Sequence, residues 1–342
     1  MGDPTPGLDL AAFRAWYDAQ RPGEIGGDLS GAVIAGGRSN LTYQVTDGTS
    51  WWIVRRPPLA HVQATAHDMG REYTAMSALV PTPVPVPVTY ALCQDPDVIG
   101  APFYVMERVE GTAYRSSEQL AALGPERTAA IATEMVDVLA TLHSVDPAAV
   151  GLEEFGRSAG FLERQVRRWG KQLEGSRTTD RPQAEELHRR LTARVPEDDS
   201  TWVGIVHGDY RLDNLLTGAD DHVKAVVDWE MATLGDVRTD LALLLVYDTL
   251  SSLPAAGLVS DVSSAPGYPS AEEHLARYAA TRGRDLGDMG FHLALAYFKL
   301  AVILEGIHFR FLQGATVGEG FDQIGAGFDP LITKGLEALG ED

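Results

Sequence analysis

A short polar segment lies between two apolar runs soon after residue 200. The stretch GIVHGDYRLDNLL places His207, Asp209 and Asn214 within eight positions, and Asp228 follows fourteen residues after Asn214, at the end of the apolar run VKAVVD. The spacing of Asp209 and Asn214 suits neither one helical face nor a strand, so it predicts a tight loop that directs both side chains to one place. These residues supply a carboxylate that accepts a hydroxyl proton and the hard oxygen ligands that Mg²⁺ prefers. Both are requirements of phosphoryl transfer.

The same segment resembles the catalytic loop of kinase-like phosphotransferases, which reads H-R-D-x-x-x-x-N. Gly208 stands at the arginine position, and HGD is similar to the aminoglycoside phosphotransferase and choline kinase-like branch rather than to protein kinases. DWE, from Asp228 to Glu230, stands where protein kinases carry D-F-G, and the sequence has no A-P-E element. We therefore do not expect regulation by phosphorylation of an activation loop.

The similarity extends over nearly the whole chain. HDMGREY, PFYVMERVEG, VVDWEMATLGD and FHLALAYFKLAVILEGIHFR resemble a bacterial subgroup related to the kinase-like domain at the N-terminus of certain acyl-CoA dehydrogenases. The resemblance implies that Asp209 is the catalytic base and that Asn214 and Asp228 bind Mg²⁺. It implies that His207 and Asp240 support the loop structurally.

The resemblance also implies an ATP site in the N-terminal part. We expect the loop of Gly36, Gly37, Arg38, Ser39 and Asn40 to cover the phosphates, because its glycines let backbone N–H groups approach a nucleotide. PFYVMERVEG is similar to the hinge between kinase lobes, where the backbone of Glu107 and Val109 would contact the adenine edge.

One position departs from the family pattern. WIVR stands where V-A-I-K is expected, so Arg55 replaces the lysine that pairs with a helix glutamate, here Glu72. Strand alternation places Ile53 and Arg55 on one face, and Arg56 on the other face is the alternative. An arginine is always charged and binds phosphate through two N–H groups, so the role can survive the replacement.

The pattern of elements predicts an α+β, two-lobe protein-kinase-like fold. A helix over Leu8–Gln20 precedes short β-branched and aromatic segments with one internal helix, and helical periodicity dominates after about residue 111. We expect a β-rich nucleotide-binding lobe over residues 1–108 and a mainly helical catalytic lobe over residues 109–342. The stretch from Leu253 to Ser270 is rich in Ser, Pro and Gly and predicts a loop.

Composition excludes several classes of function. The chain has 342 residues, 28 basic against 48 acidic side chains and a net charge of −20, which argues against nucleic acid and anionic membranes as partners. Cys93 is the only cysteine, so no disulfide forms within the chain, and we expect this residue to be a small core or semi-buried residue. The first ten residues do not read as a signal peptide, and we expect a cytoplasmic monomer or homodimer.

These observations favour an ATP- and Mg²⁺-dependent phosphotransferase that acts on a hydroxyl of a small molecule. The sequence leaves two alternatives for the acceptor: an aminoglycoside, or a hydroxyacyl group that is possibly linked to CoA. The phosphates of CoA would contact basic residues in ERQVRRWGK. Those residues are Arg164, Arg167, Arg168 and Lys171. The main alternative is a catalytically silent nucleotide-binding module, motivated by Arg55. A metal-dependent hydrolase is less favoured, because the further ligands of a two-metal site do not lie near these motifs.

Overall fold

A computed structural model describes residues 5–34, 40–59, 68–251, 260–314 and 323–340. The chain divides into two units. Unit 1 comprises Met1–Gly111 together with Lys224–Ala232, and unit 2 comprises Thr112–Val223 and Thr233–Asp342. Asp228 therefore lies in unit 1, although it follows the polar segment of unit 2 in the sequence.

Unit 1 is built on a five-stranded antiparallel sheet with the order β1-β2-β3-β5-β4. Its strands are β1 Ser30–Val33, β2 Leu41–Thr46, β3 Trp51–Arg56, β4 Thr89–Cys93 and β5 Phe103–Glu107. A tight turn joins β2 to β3. There Asp47 Oδ1 accepts hydrogen bonds from the backbone of Thr49 and Ser50, and Gly48 adopts a φ of 91° that favours glycine. This turn sets the register that pairs Thr42 with Arg55.

The two faces of β3 have different neighbours. Trp52 and Val54 belong to a core cluster with Phe13 and Tyr17 of helix α1, Leu10–Gln20, whose first turn is capped by Asp9. Because side chains alternate along a strand, Arg55 points to the opposite face of the sheet.

Helix α2, Met69–Leu79, packs against β4, β5 and the short 3₁₀ turn Trp229–Met231. Asp68 caps its N-terminus by accepting a hydrogen bond from the backbone of Arg71. Glu72 lies in the first turn on the buried side of this helix. The helix thus carries a carboxylate into the interior of unit 1.

Unit 2 is mainly helical. Its helices are α3 Ser117–Ala121, α4 Pro125–Leu142, α5 Phe161–Ser176, α6 Pro182–Ala193, α7 Arg238–Leu250, α8 Ala271–Arg282, α9 Gly290–Leu312 and α10 Phe328–Leu339. Strands β6 Val203–Val206 and β9 Thr233–Asp236 form an antiparallel pair, and β7 is Leu215–Thr217. Strand β8, Val223–Val226, begins at the last residue of this segment of unit 2, and its other residues belong to unit 1. The helix predicted over Leu8–Gln20 is confirmed as α1, and the predominance of helices predicted after about residue 111 is confirmed by this unit.

Helix α9 is the central helix of unit 2 and packs against α5, α6, α7 and α10. By length and composition alone it is apolar enough to cross a membrane, but 72% of its most apolar window is buried. That burial is typical of a core helix. In the predicted loop from Leu253 to Ser270, residues 253–259 lie outside the described residues, and the rest includes the 3₁₀ turn Val262–Ser264. Cys93 is buried in the core of unit 1.

Candidate active site

In unit 2, the polar segment forms a tight loop between β6 and the 3₁₀ turn Leu212–Asn214. Asp240, on α7, accepts hydrogen bonds from the backbone N–H groups of His207 at 2.6 Å and Gly208 at 2.8 Å. Gly208 has a φ of 87°, in the region where a Cβ atom is strained, which gives a physical reason for glycine at this position. The backbone of Asp209 in turn donates to the ring of His207 at 3.3 Å. The loop is therefore held by backbone contacts that do not consume the Asp209 side chain.

Asp240 is buried and has further support. His143 Nε2 lies 3.2 Å from its Oδ2, and His143 Nδ1 lies 2.6 Å from the hydroxyl of Tyr278. Burial lowers the pKa of His143, so a neutral ring that donates from Nε2 and accepts at Nδ1 satisfies both contacts. Burial alone would raise the pKa of Asp240, but its hydrogen bonds to His143 and to the loop backbone lower it below the usual range. Asp240 is thus an ionised anchor.

The carboxylate of Asp209 has a partner on each oxygen. The hydroxyl of Tyr247 donates to Oδ1 at 2.8 Å, and Asn214 Nδ2 lies 3.2 Å from Oδ2 and donates to the backbone carbonyl of Asp209 at 2.8 Å. The side chain of Asp209 is 31% exposed and therefore accessible to a small molecule. Because the amide nitrogen of Asn214 is used in this way, its oxygen is the atom that suits a metal ion.

Two basic side chains lie near Asp209. Lys299, on α9, donates to the carbonyl of Gly208 at 2.8 Å and lies 5.6 Å from the ring centroid of Trp169. Burial lowers the pKa of Lys299, while the negative charge of Asp209 acts in the opposite direction. Arg211 forms an ion pair with Asp213 at 2.5 Å and lies 3.7 Å from Asp209 Oδ2.

In unit 1, Arg55 joins two acidic side chains. Its Nε lies 3.2 Å from Glu72 Oε2, and its Nη2 donates to Asp228 Oδ1 at 2.6 Å. The neighbouring Arg56 instead donates to the backbone carbonyls of Gly7 and Ile99, both at 2.7 Å. Of the two arginines that the sequence leaves as alternatives, Arg55 is the one that contacts Glu72.

Glu72 is fully buried and has several partners. It accepts hydrogen bonds from Tyr104 Oη at 2.9 Å and from Asn40 Nδ2 at 3.0 Å. Burial raises its pKa to about 7, and the positive charge of Arg55 opposes that rise. Asn40 Nδ2 also donates to Glu230 Oε2 at 3.1 Å, so the side chain of Asn40 belongs to this carboxylate cluster.

The carboxylates of Glu72, Asp228 and Glu230 offer oxygen atoms within 4.8 Å of one another. Asp228 has a left-handed backbone, with φ 68° and ψ 59°, a conformation that non-glycine residues adopt at a cost and that is common at functional sites. Three acidic groups against one arginine leave an excess of negative charge. Hard oxygen donors and this excess match Mg²⁺, so the residues of unit 1 fit the metal that phosphoryl transfer requires.

The structure says less about the other residues predicted to contact the nucleotide, which are those of the glycine-rich loop and of the hinge. Gly36, Gly37, Arg38 and Ser39 lie outside the described residues. The N–H group of Glu107 donates to the carbonyl of Val88 at 2.8 Å, so a contact between this residue and an adenine edge would have to use its carbonyl. Val109 lies just beyond β5 and is partly buried.

Sequence reasoning missed several side chains of these clusters, among them Tyr247, Lys299 and Glu230. Tyr247 follows Asp240 by seven residues, two helical turns, which places both on one face of α7 and was a usable signal. Lys299 is the only charged residue in the apolar run FHLALAYFKLAVIL, a second signal. Glu230 lies in the quoted DWE motif, but its contact with Asn40 spans 190 positions and depends on tertiary packing.

Comparisons with known proteins identify the family. Acyl-CoA dehydrogenase family member 11 of Rattus norvegicus is 33% identical over 342 residues, which cover 98% of this chain but only 44% of that protein. The chain thus spans less than half the length of this curated relative.

Among solved structures, a candidate aminoglycoside phosphotransferase from Ralstonia eutropha is 33% identical, with a TM-score of 0.82 over 97% of this chain and 98% of that one. The GDP and kanamycin complex of APH(2")-IIIa is 16% identical and shares the fold, with a TM-score of 0.59 over 97% of each chain. The α+β kinase-like fold predicted from the sequence is therefore confirmed. A family model described as the phosphotransferase enzyme family matches residues 30–274, and the chain belongs to that family.

Proposed function

We propose that this chain is an ATP- and Mg²⁺-dependent kinase that transfers the γ-phosphoryl group to a hydroxyl of a small molecule. The observation that carries the proposal is that the Asp209 carboxylate is both held in place and accessible. Its carboxylate is held by Tyr247 and Asn214 but stays 31% exposed, as a general base must be to meet a substrate. A solved relative of this fold was crystallised with GDP, which supports a nucleotide as phosphoryl donor.

Each unit contributes separate groups to the proposed reaction. Unit 1 supplies Arg55, oriented by Glu72, to bind nucleotide phosphates, and it supplies Asp228 as a metal ligand. Unit 2 supplies Asn214 as an oxygen ligand and Asp209 as the base. When bound, Mg²⁺ neutralises phosphate charge.

Asp209 orients the acceptor hydroxyl and takes its proton. At the same time the acceptor oxygen bonds to the γ-phosphorus, and the bond from that phosphorus to the bridging oxygen breaks and releases ADP. His207 and Asp240 keep the loop in place and do not take part in the proton transfer.

For the acceptor, we propose a hydroxyacyl group rather than an aminoglycoside. Lys299 and Arg211 offset much of the negative charge of Asp209 and Asp213, so this loop lacks the strong acidic excess that favours a polycationic antibiotic. Of the basic residues on α5, Arg164 donates to the backbone carbonyls of Ala159 and Arg157 and so has a structural role.

Two further observations bear on a CoA-linked acceptor. Arg167, Arg168 and Lys171 are exposed on α5, and the guanidinium of Arg168 lies 5.4 Å from the ring centroid of Trp169, the ring that Lys299 also approaches. These side chains are available for the phosphates of a CoA group. The names of the curated relatives, which refer to acyl-CoA dehydrogenases, agree with this choice.

The alternative is a nucleotide-binding module without catalysis, and the arginine at the lysine position favours it. A module that only binds nucleotide has no need for an ionised, buried anchor such as Asp240 behind a carboxylate that stays exposed. The support built around Asp209 therefore favours the enzyme.

The test is ADP release from Mg·ATP or Mg·GTP with a panel of hydroxyacyl-CoA esters, free hydroxy acids and aminoglycosides, with mass spectrometry of the product. We expect a phosphorylated hydroxyacyl product. Asp209→Asn should lower kcat by about 10² or more while nucleotide affinity stays the same. Asp221→Asn, which changes a carboxylate paired with Arg127, is the matched control and should keep full turnover. Tight nucleotide binding without transfer to any acceptor would support the silent module, and full turnover by Asp209→Asn would refute the role of Asp209.

A further inference from the structure

Helix α7 contacts the catalytic loop at two points. Asp240, in its first turn, accepts hydrogen bonds from the loop backbone at His207 and Gly208. Tyr247, seven residues later, donates from its hydroxyl to Oδ1 of Asp209 at 2.8 Å. One rigid element therefore holds both the backbone of the loop and the carboxylate that the loop presents.

The ring of Tyr247 is itself fixed. The guanidinium of Arg211 lies 5.1 Å from the ring centroid, and the same guanidinium forms the ion pair with Asp213. Burial, together with the negative charge of Asp209, raises the pKa of Tyr247 well above its usual value. Its hydroxyl therefore keeps its proton and remains a hydrogen-bond donor over the whole pH range in which an enzyme is assayed.

We propose that Tyr247 is a positioning residue for phosphoryl transfer, whose hydroxyl holds Oδ1 of Asp209 so that Oδ2 receives the proton of the acceptor hydroxyl. This inference rests on the proposed function. The contact of Tyr247 with Oδ1, at 2.8 Å, is shorter than the 3.2 Å contact of Asn214 with Oδ2, so the first oxygen is the better held of the two. A base fixed through one oxygen keeps the orientation on which proton transfer depends.

The proton balance of the step is simple. The acceptor proton moves to Oδ2 of Asp209 while the acceptor oxygen bonds to phosphorus and ADP leaves. Tyr247 keeps its own proton throughout, so it acts only through Asp209.

The effect of the Tyr247 hydroxyl on Asp209 must be separated from the effects of the charged groups nearby. Arg211 and Asp213 are on the same loop, Lys299 faces Asp209 from α9, and Asp240 lies on α7 with Tyr247 itself. Tyr247→Phe removes one hydroxyl and leaves all four charges in the chain. A change in the kcat of this variant therefore reports on the hydroxyl.

The experiment compares Tyr247→Phe with Tyr17→Phe in the full chain. Tyr17 is a buried tyrosine of unit 1 that donates to Glu24 Oε2 at the same 2.8 Å, so the control makes the same chemical change away from Asp209. The probes are Mg·ATP with the best acceptor of the panel, or with water as acceptor through slow ATP hydrolysis.

For Tyr247→Phe we expect kcat to fall about tenfold with an unchanged KM for Mg·ATP. The KM for the acceptor should also stay the same, because the hydroxyl of Tyr247 is proposed to act through Asp209 and not on a bound substrate. Tyr17→Phe should change none of these quantities. Thermal stabilisation by Mg·ATP, retained by both variants, would show that both are folded.

Two results would overturn the inference and can be told apart from failure of the proposed function. If Asp209→Asn is inactive but Tyr247→Phe has the kcat of the wild type, the positioning role is wrong and the function stands. If kcat falls in Tyr247→Phe together with a higher KM for either substrate, or with the loss of Mg·ATP stabilisation, the residue is merely structural. If the wild type shows no turnover that depends on Asp209, the proposed function fails and this inference fails with it.

Discussion

The ion pairs of Arg55 give the sharpest test of the architecture of unit 1. Its guanidinium lies 3.2 Å from Glu72 and 2.6 Å from Asp228. At an effective dielectric constant of about 20, such distances correspond to attractions of about 5 and 6 kcal/mol before desolvation is subtracted. Removal of one member of a buried pair typically costs about 3–5 kcal/mol, because it leaves a buried charge without compensation. We therefore expect Arg55→Met to lower the free energy of unfolding by about 3–5 kcal/mol at pH 8.

The sign of the pH dependence follows from Glu72. Its pKa in the folded protein is raised by burial to about 7, and Arg55 lowers it against that effect. In Arg55→Met this pKa rises further, so at pH 6 the carboxyl is protonated in wild type and variant alike and the arginine contributes less. As pH rises through 7, Glu72 ionises in the wild type, where the positive charge of Arg55 compensates it. In the variant the carboxyl has no such cation nearby, so its ionisation costs more of the free energy of unfolding. The stability difference between wild type and variant should therefore grow between pH 6 and pH 9.

The assay is urea unfolding of the full chain at pH 6, 8 and 9, followed by fluorescence, with Mg·ATP affinity measured in parallel. Arg56→Met is the matched control, because Arg56 is buried on the same strand but donates to the carbonyls of Gly7 and Ile99. The control should lose stability by the same amount at every pH and keep its affinity for Mg·ATP. A stability loss for Arg55→Met that does not change with pH, or an equal pH dependence in Arg56→Met, would refute the reasoning.

Two further predictions concern the loop that carries Asp209. Gly208→Ala places a Cβ atom on a residue with a φ of 87°, so the free energy of unfolding should fall by about 1–2 kcal/mol, measured by urea unfolding, and kcat should fall with it. Gly151→Ala changes a glycine with a φ of 73° just after the 3₁₀ turn Ala148–Val150, and it should lose similar stability with no change in kcat. Asp240→Asn places an amide group against the two backbone N–H donors of the loop, so kcat should fall about 10²-fold while nucleotide affinity, measured by calorimetry, is kept. Unchanged turnover in Asp240→Asn would contradict the anchoring role.

Much of unit 1 follows from local rules. Alternation along WWIVRR predicts that Arg55 and Arg56 lie on opposite faces of β3, and the packing of Trp52 and Val54 against α1 fixes which face is which. Helical spacing predicts that Glu72 is able to point inward beside Met69 and Met76, and it does. These predictions needed only the period of each element and the apolar residues that mark its buried side.

The loop that carries Asp209 could be predicted from the sequence, but the contacts of its side chain could not. Its loop was predictable because charged residues stand between two apolar runs, and a strand that continued through them would bury unpaired charge. Tyr247, which donates a hydrogen bond to Asp209, lies 38 positions away in the sequence. Lys299, which donates to the carbonyl of the neighbouring Gly208, lies 90 positions from Asp209. Such contacts are set by how α7 and α9 pack, and neither the period nor the composition of a helix specifies that packing.

The arginine at the lysine position is best understood from the two contacts it makes at once. The planar guanidinium has donors on three nitrogens, and in Arg55 one faces Glu72 while another donates to Asp228. A lysine ammonium is a compact point charge and would approach both carboxylates from a single atom. The arginine therefore ties the residue proposed to bind phosphate to the residue proposed to bind Mg²⁺, and it leaves the second oxygen of Asp228 for the metal. For this reason the replacement does not by itself indicate a silent module: it keeps the positive charge, and it adds a contact with Asp228.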